Sequence, residues 1–294
     1  ELEPREHKLL GPDFFRASLR DFRAMYRPTA PARPGSLARR RFAASLLALG
    51  LPFSAPQAQF ASETALERQS SQVFQQMKAQ IPISRDPRAT RIVECVTYEL
   101  VNSLDDEWKS KAWEVVLFDV PSVNAFAMPG GIIGVHTGIF KVARNQHALA
   151  AVLGHEIAHV TEAHAVKRAN RRGLTDLAVG VATAVIGGGA LTQSAVGSLL
   201  DIGAEIGLRR PYGREQESEA DSAGLELMAR AGFHPSASID LWKNMAEAGG
   251  GEPPEFLSTH PSNEARTAAL IEQLAPALKT YNVAVQGGKR PDCN

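Results

Sequence analysis

The sequence has almost no cysteine: Cys95 and Cys293 are the two among its 294 residues. That excludes a disulfide-dense scaffold, and their separation excludes a CxxC redox or metal unit. One long-range disulfide and two unrelated thiols both stay open. Net charge is missing as well. The 32 basic side chains balance 32 acidic ones, so nothing in the overall electrostatics argues for nucleic acid as a partner. No internal repeat is present. What remains is 44% hydrophobic, too apolar for a disordered chain and enough for one large domain or two small ones.

The first residue is Glu1, not methionine. Further on, Arg39, Arg40 and Arg41 form a basic block, Phe42 to Phe53 a short apolar core, and small residues with prolines follow. Basic, apolar, small is the order of a secretory signal, and the apolar part is too short to span a bilayer as a helix. Residues 1–58 are therefore expected to be an N-terminal extension and signal peptide, cleaved near Ala58, with Met25 as a start of ordinary length. The Arg-Arg-x-Phe run at Arg39–Phe42 resembles a twin-arginine signal. Export, to a periplasm, is the expectation. One folded domain over 59–280 and a tail over 281–294 complete the expected division.

Along the mature chain, 62–80 reads as a polar helix ended by Pro82 and Pro87, and a second helix starts at Pro87 with Ile92, Val96 and Leu100 on one face. Trp113–Val120 reads as a strand, Asn124–Met128 as a short extended run, Pro129-Gly130-Gly131 as a turn, and Ile132–Val135 as another strand. Helix is expected from Asn145 to about Arg171, from Glu215 to Ala231, over Ile239–Glu247 and over Asn263–Leu278. Residues 177–200 carry no charge, but Gly187-Gly188-Gly189 at their centre argues against a membrane span. They are read as a Gly/Ala-rich helical hairpin that covers the site or touches a membrane surface. Helices segregated around a small sheet make the fold α+β.

The chemistry starts at VLGHEIAHV, Val152–Val160. Residues four apart lie about 40° apart around a helix, so His155 and His159 point the same way and can bind one metal. Glu156 follows the first histidine and can serve as the base for a water activated by zinc. Gly154 lets another chain approach closely. A third ligand is needed. His164 lies five residues beyond His159, about 140° off that face in a continuous helix, which makes it a surface or second-layer histidine. Glu217 is the better candidate. Asp221, four residues on along the same helix, can fix the tautomer of a ligand imidazole, His155. One zinc ion per chain is the expected cofactor. A purely structural zinc site is disfavoured, because such sites close with four ligands rich in cysteine.

The blocks NAFAMPGG (124–131), HEIAH (155–159), ESEAD (217–221) and THP (259–261), in this order, resemble the CAAX-prenyl-protease-type zinc metalloendopeptidases, the HtpX, BepA and LoiP group. The resemblance covers about residues 70–275. It implies a mostly helical zincin of the gluzincin kind, with His155, His159 and Glu217 as ligands and Glu156 as the catalytic base. It also implies an edge strand, Asn124, Ala125, Phe126, Ala127 and Met128, that pairs with an extended substrate. Only 34 residues follow His260, so the compact periplasmic branch without a helical-repeat domain is expected. The implied substrates are unfolded or misassembled envelope proteins, and the rival is a latent, chaperone-like zinc protein that binds them. His260, just before Pro261, has two roles open: a fourth ligand that plugs the site, or an oxyanion donor, with Arg266 as a weaker candidate for the latter. Oligomeric state is left open.

Overall fold

The structure, a computed structural model, describes residues 62–171, 211–248, 254–261 and 264–293. The expected signal peptide and the charge-free 177–200 segment lie outside the described residues.

Glu63–Gln80 (α1) opens on Ser62, whose side chain accepts the Ala65 N–H, and Pro87–Val101 (α2) opens on Asp86, which accepts from the N–H groups of Arg88 and Ala89. Both caps satisfy donors that a helix start leaves unpaired. The buried face of α2 uses Val93, Val96, Thr97 and Leu100, with Ile92 only half buried. A short turn of helix, Asp106–Lys109 (α3), leads into Glu114–Phe118 (β1), Ala125–Met128 (β2) and Ile132–His136 (β3). Among the described residues these strands make one sheet in the order β1-β3-β2, with β1 parallel and β2 antiparallel to β3. Gly130 and Gly131 take φ of 91° and 74° in the turn between β2 and β3, which other residues rarely adopt. The 3-10 stretch Thr137–Lys141 follows β3.

Gln146–Thr161 (α4) is the centre of the domain. It starts on Asn145, whose side chain accepts the Ala148 N–H, and buries nearly its whole circumference. A helix apolar all round must be covered on every side. Arg214–Arg230 (α5), α2, Ala237–Ala248 (α6) and β2 supply that cover. Contrary to the expectation of one helix running to Arg171, α4 stops at Thr161. Glu162 and Ala163 form a turn, Ala163 at φ 50°, and helix resumes over 164–171.

The segment carrying His260 contains the short helix Glu255–Thr259 (α7), with His260 just past its end. The last helix, Glu264–Gln286 (α8), runs past the expected Leu278 and crosses the expected boundary at residue 280. Beyond it Cys293 is disulfide-bonded to Cys95, and Cys293 donates its N–H to Gln146 Oε1 at 2.7 Å. The end of the described chain is thereby fastened to the first turn of α4. The open question of the two cysteines is resolved as a disulfide. The mostly helical α+β architecture is as expected.

Candidate metal centre

Two helices bring the chemistry together, and two glycines let them meet. A Cβ on Gly224 of α5 would stand 2.7 Å from the His155 backbone nitrogen and 2.8 Å from the Gly154 carbonyl carbon. Only hydrogen at that point allows so close a crossing. The expected role of Gly154 therefore has a partner that the sequence reading missed. The crossing sets His155 and His159 of α4 against Glu217 and Asp221 of α5.

His155, His159, Glu217 and His260 are all buried, and each points one ligand atom into a common space, all within 4.8 Å of one another. His155 Nε2 lies 3.0 Å from His159 Nε2 and 3.1 Å from His260 Nδ1. His260 Nδ1 lies 3.1 Å from Glu217 Oε1, and His159 Nε2 is 3.6 Å from the same oxygen. Bonds of about 2.0–2.1 Å to a tetrahedral zinc put neighbouring ligand atoms about 3.4 Å apart. The observed edges bracket that value, and the donor set of three imidazoles and one carboxylate suits zinc. The residues present fit the ion.

The electrostatics of His159 and Asp221 agree, whereas at His155 burial is outweighed by the carboxylates of Asp221, Glu217 and Glu156, which raise its pKa. Burial, then the neighbouring His155, His260 and His164, holds the pKa of His159 well below the ordinary histidine value, so its ring is neutral with a lone pair to offer. Burial favours the neutral form of Asp221, but hydrogen bonds from His155 and Arg266 outweigh it and hold that carboxyl at about 2. Its Oδ1 stands 3.0 Å from His155 Nδ1, as expected for a group that fixes the tautomer of a ligand. Arg266 donates to Asp221 through Nε and Nη2, each at 2.8 Å, to the Pro261 carbonyl at 2.8 Å, and has Nη1 2.7 Å from Glu217 Oε2. These contacts brace two carboxylates with the residue that the sequence offered as the weaker oxyanion-donor candidate.

Glu156 is the base candidate. Its Oε2 accepts the Ala127 N–H at 3.0 Å. Its Oε1 lies 3.2 Å from His260 Nε2. Burial raises its pKa, with His260, His155 and the Ala127 N–H pulling the other way. A base with a pKa raised toward neutrality is better matched to moving protons near pH 7. His260 therefore sits between the ligand cluster, which its Nδ1 faces, and the base, which its Nε2 faces. Phe256 stacks on its ring with centroids 4.5 Å apart.

The expected edge strand is at the edge. The Asn124 carbonyl accepts from the His136 N–H, which makes 126↔134 and 128↔132 the hydrogen-bonded pairs with β3. The main-chain groups of Ala125 and Ala127 consequently face away from β3, and the Ala127 N–H reaches Glu156. The start of the strand is covered: the Phe256 N–H donates to the Val123 carbonyl, and Asn124 Nδ2 donates to Glu255 Oε1 at 3.1 Å. The segment that carries His260 thus also lies against the strand.

With that geometry in view, the family model for peptidase family M48 matches residues 87–274, well over half of the chain. The chain belongs to peptidase family M48. Among its relatives, the mitochondrial metalloendopeptidase OMA1 of Schizosaccharomyces pombe is 35% identical over 167 residues, covering 56% of this chain and 48% of the relative. OMA1 of Saccharomyces cerevisiae is 34% identical over 188 residues, 61% of this chain and 51% of the relative. The β-barrel assembly-enhancing protease of Escherichia coli (strain K12) is 28% identical over 200 residues, 66% of this chain and 40% of the relative. The chain spans about half or less of the length of these relatives.

Two participants in this M48 site escaped the sequence reading, and a third, His164, was foreseen only as a surface or second-layer histidine. Tyr212 stacks on His159, centroids 3.9 Å apart and planes 17° apart. Its position, just before α5, carries no spacing signal. The Ala127 N–H that holds Glu156 belongs to the backbone and leaves no trace in residue type. His164 is completely buried, with its Nδ1 2.7 Å from His159 Nδ1. Of the two positions foreseen for it, the structure selects the second layer. It stands outside the ligand cluster, in keeping with the angular count, although the turn at 162–163 interrupts the helix on which that count relied.

Proposed function

We propose that the chain is a zinc-dependent metalloendopeptidase, with His155, His159 and Glu217 as protein ligands, and that His260 holds it latent at the fourth corner. The observation that carries this reading is Glu156: buried beside the ligand cluster, raised in pKa, and tied by one oxygen to an edge-strand N–H. Zinc, when bound, supplies a Lewis acid and lowers the pKa of water toward ~7. The chain's own residues do the rest. Glu156 takes a proton from the attacking water at Oε1 while Ala127 N–H holds Oε2 in place. The same carboxyl then delivers that proton to the departing amine. Ala125 offers main-chain groups to an extended peptide, so binding depends on backbone more than on side-chain identity. Asp221 and Arg266 keep His155 and Glu217 in position.

In the structure His260 occupies both the open corner and the free side of Glu156. That favours the plug over the oxyanion role. It is also the specific observation behind the second reading, a chaperone-like zinc protein that binds unfolded chains and seldom cuts. A catalytic site must keep one position open, so activity requires the 254–261 segment to move. Moving it would uncover the start of the edge strand as well.

The substrate class we propose is unfolded or misassembled envelope proteins. The basic-apolar-small order of the N-terminal region and the Cys95–Cys293 disulfide support an oxidising, exported setting. A relative named for enhancing β-barrel assembly supports misassembled proteins as targets. We place the chain in the periplasm, with a peptidase domain that starts near residue 59 and takes in α8 and Cys293 beyond the expected boundary at 280, and assign peripheral membrane contact to 177–200. No helix among the described residues is long and apolar enough to cross a membrane.

The test is casein digestion with and without chelator, beside metal analysis, for wild type and Glu156→Gln. The variant should keep stoichiometric zinc and lose about a hundredfold or more of hydrolysis. Equal cleavage by the variant would sink the mechanism; zinc-loaded protein that binds unfolded casein without cutting it, even after His260→Ala, would favour the chaperone-like reading.

A further inference from the structure

His164 has no role in the proposed mechanism, yet it is completely buried and touches a ligand. Each of the three histidines in the metal cluster is engaged at its outward nitrogen: His155 by Asp221, His260 by Glu156, and His159 by His164. The usual outward partner of a ligand histidine is a carboxylate, a carbonyl or water. An imidazole there must itself be fixed, because it can act as donor or acceptor at either nitrogen.

The fixing group is Glu219. His164 Nε2 lies 3.0 Å from Glu219 Oε2. A carboxylate only accepts, so Nε2 carries the hydrogen and Nδ1 of His164 is left as an acceptor. His159 must then donate from its own Nδ1, which leaves its Nε2 lone pair facing the cluster. One carboxylate, two rings away, determines which nitrogen of His159 can bind metal. The backbone is built for this. Ala163 takes φ 50°, a strained left-handed conformation for a residue with a Cβ, and it turns His164 back toward His159. Gln216 Nε2, from α5, donates to the His164 carbonyl at 3.1 Å and holds that turn. Lys167 Nζ lies 3.4 Å from Glu219 Oε1 and steadies the far end.

We infer that His164 and Glu219 form a relay that orients His159 and sets its tautomer for metal binding, making His164 a positioning residue of the site. The inference rests on the proposed zinc site, and its test separates the two. The readout is zinc affinity by chelator competition, with the visible spectrum of the cobalt-substituted protein and the thermal midpoint of the metal-free protein measured beside it. His164→Phe, which keeps ring volume and loses both bonds, should lower affinity about 10–100-fold and change the cobalt spectrum. His164→Gln, whose amide oxygen can still accept from His159, should recover part of that loss. Glu219→Ala should lower affinity about tenfold in wild type and not at all in His164→Phe, because the relay is already broken.

Wild-type protein that binds no zinc would overturn the zinc reading and this inference with it. Zinc-binding wild type with unchanged affinity in His164→Phe would overturn the relay alone. So would a Glu219→Ala effect of equal size in both backgrounds, or an affinity loss in His164→Phe that His164→Gln does not relieve at all. Should His164→Phe fail to fold, Glu219→Ala decides, since that side chain is 46% exposed; unchanged affinity there would overturn the proposal.

Discussion

Replacing Gly224 with alanine adds one methyl group where α4 and α5 cross. The new Cβ would lie 2.7 Å from His155 N, 2.8 Å from Gly154 C and 2.9 Å from His155 Cα, all main-chain atoms that no rotamer change can move aside. Ordinary contact begins at about 3.5 Å, so the helices must part by roughly 0.7 Å. Such overpacking costs about 1–3 kcal/mol, against a gain of about 1 kcal/mol from alanine's better helix propensity. The separation matters more to the site than to the fold, because two ligands ride on α4 and one on α5. Metal geometry tolerates shifts of about 0.2 Å, so binding zinc must pull the helices back together. If the whole strain is recovered that way, affinity falls by roughly 5- to 150-fold. Gly154→Ala is the control: its Cβ meets Gly224 O at 3.0 Å and nothing else closer than 3.6 Å, so a small adjustment and the propensity gain should leave it near neutral. Zinc affinity by chelator competition and the thermal midpoint of metal-free protein would be measured for both. Wild-type affinity with raised stability in Gly224→Ala, or an equal loss in Gly154→Ala, would refute the argument.

His260→Ala should raise basal proteolysis or self-cleavage several-fold at retained zinc content, since it opens the corner and frees Glu156 Oε1; a fall in turnover would restore the oxyanion role. Ala125→Pro should raise KM for an extended peptide with little change in zinc content, because its N–H faces away from β3. Ala127→Pro should also lower kcat, because it removes the hydrogen bond to Glu156; equal kinetics in the two variants would deny the strand this double use. Metal-free protein should lose stability in acid through Asp221: its folded pKa of about 2 lies below the ordinary 3.8, so this contribution is complete above about pH 4 and disappears as pH falls through 2. Asp221→Asn should flatten that limb of the pH–stability curve, and an unaltered curve would assign acid unfolding to other groups.

The sequence by itself determined the groups that lie near one another along one helix. His155, Glu156 and His159, and likewise Glu217 and Asp221, follow from the 3.6-residue turn alone, because helical geometry makes spacing equivalent to direction. The α+β architecture and the three strands followed from local pattern in the same way. His164 shows where that logic stops. A turn with Ala163 at φ 50° breaks the helix with no glycine or asparagine to announce it, and the angular count across it becomes meaningless.

Everything else at the site depended on which distant segments meet. His260 lies 105 residues from His155, and its motif left both plug and donor open; only packing put one ring nitrogen toward the ligands and the other toward Glu156. Gly224 is an ordinary helix residue until α4 is laid across it. The Ala127 N–H acts on Glu156 through the backbone, which residue identity does not encode. Arg266 was only a weak candidate to meet a developing charge, and the fold sets it between Glu217 and Asp221, because two buried carboxylates side by side need a cation to remain charged.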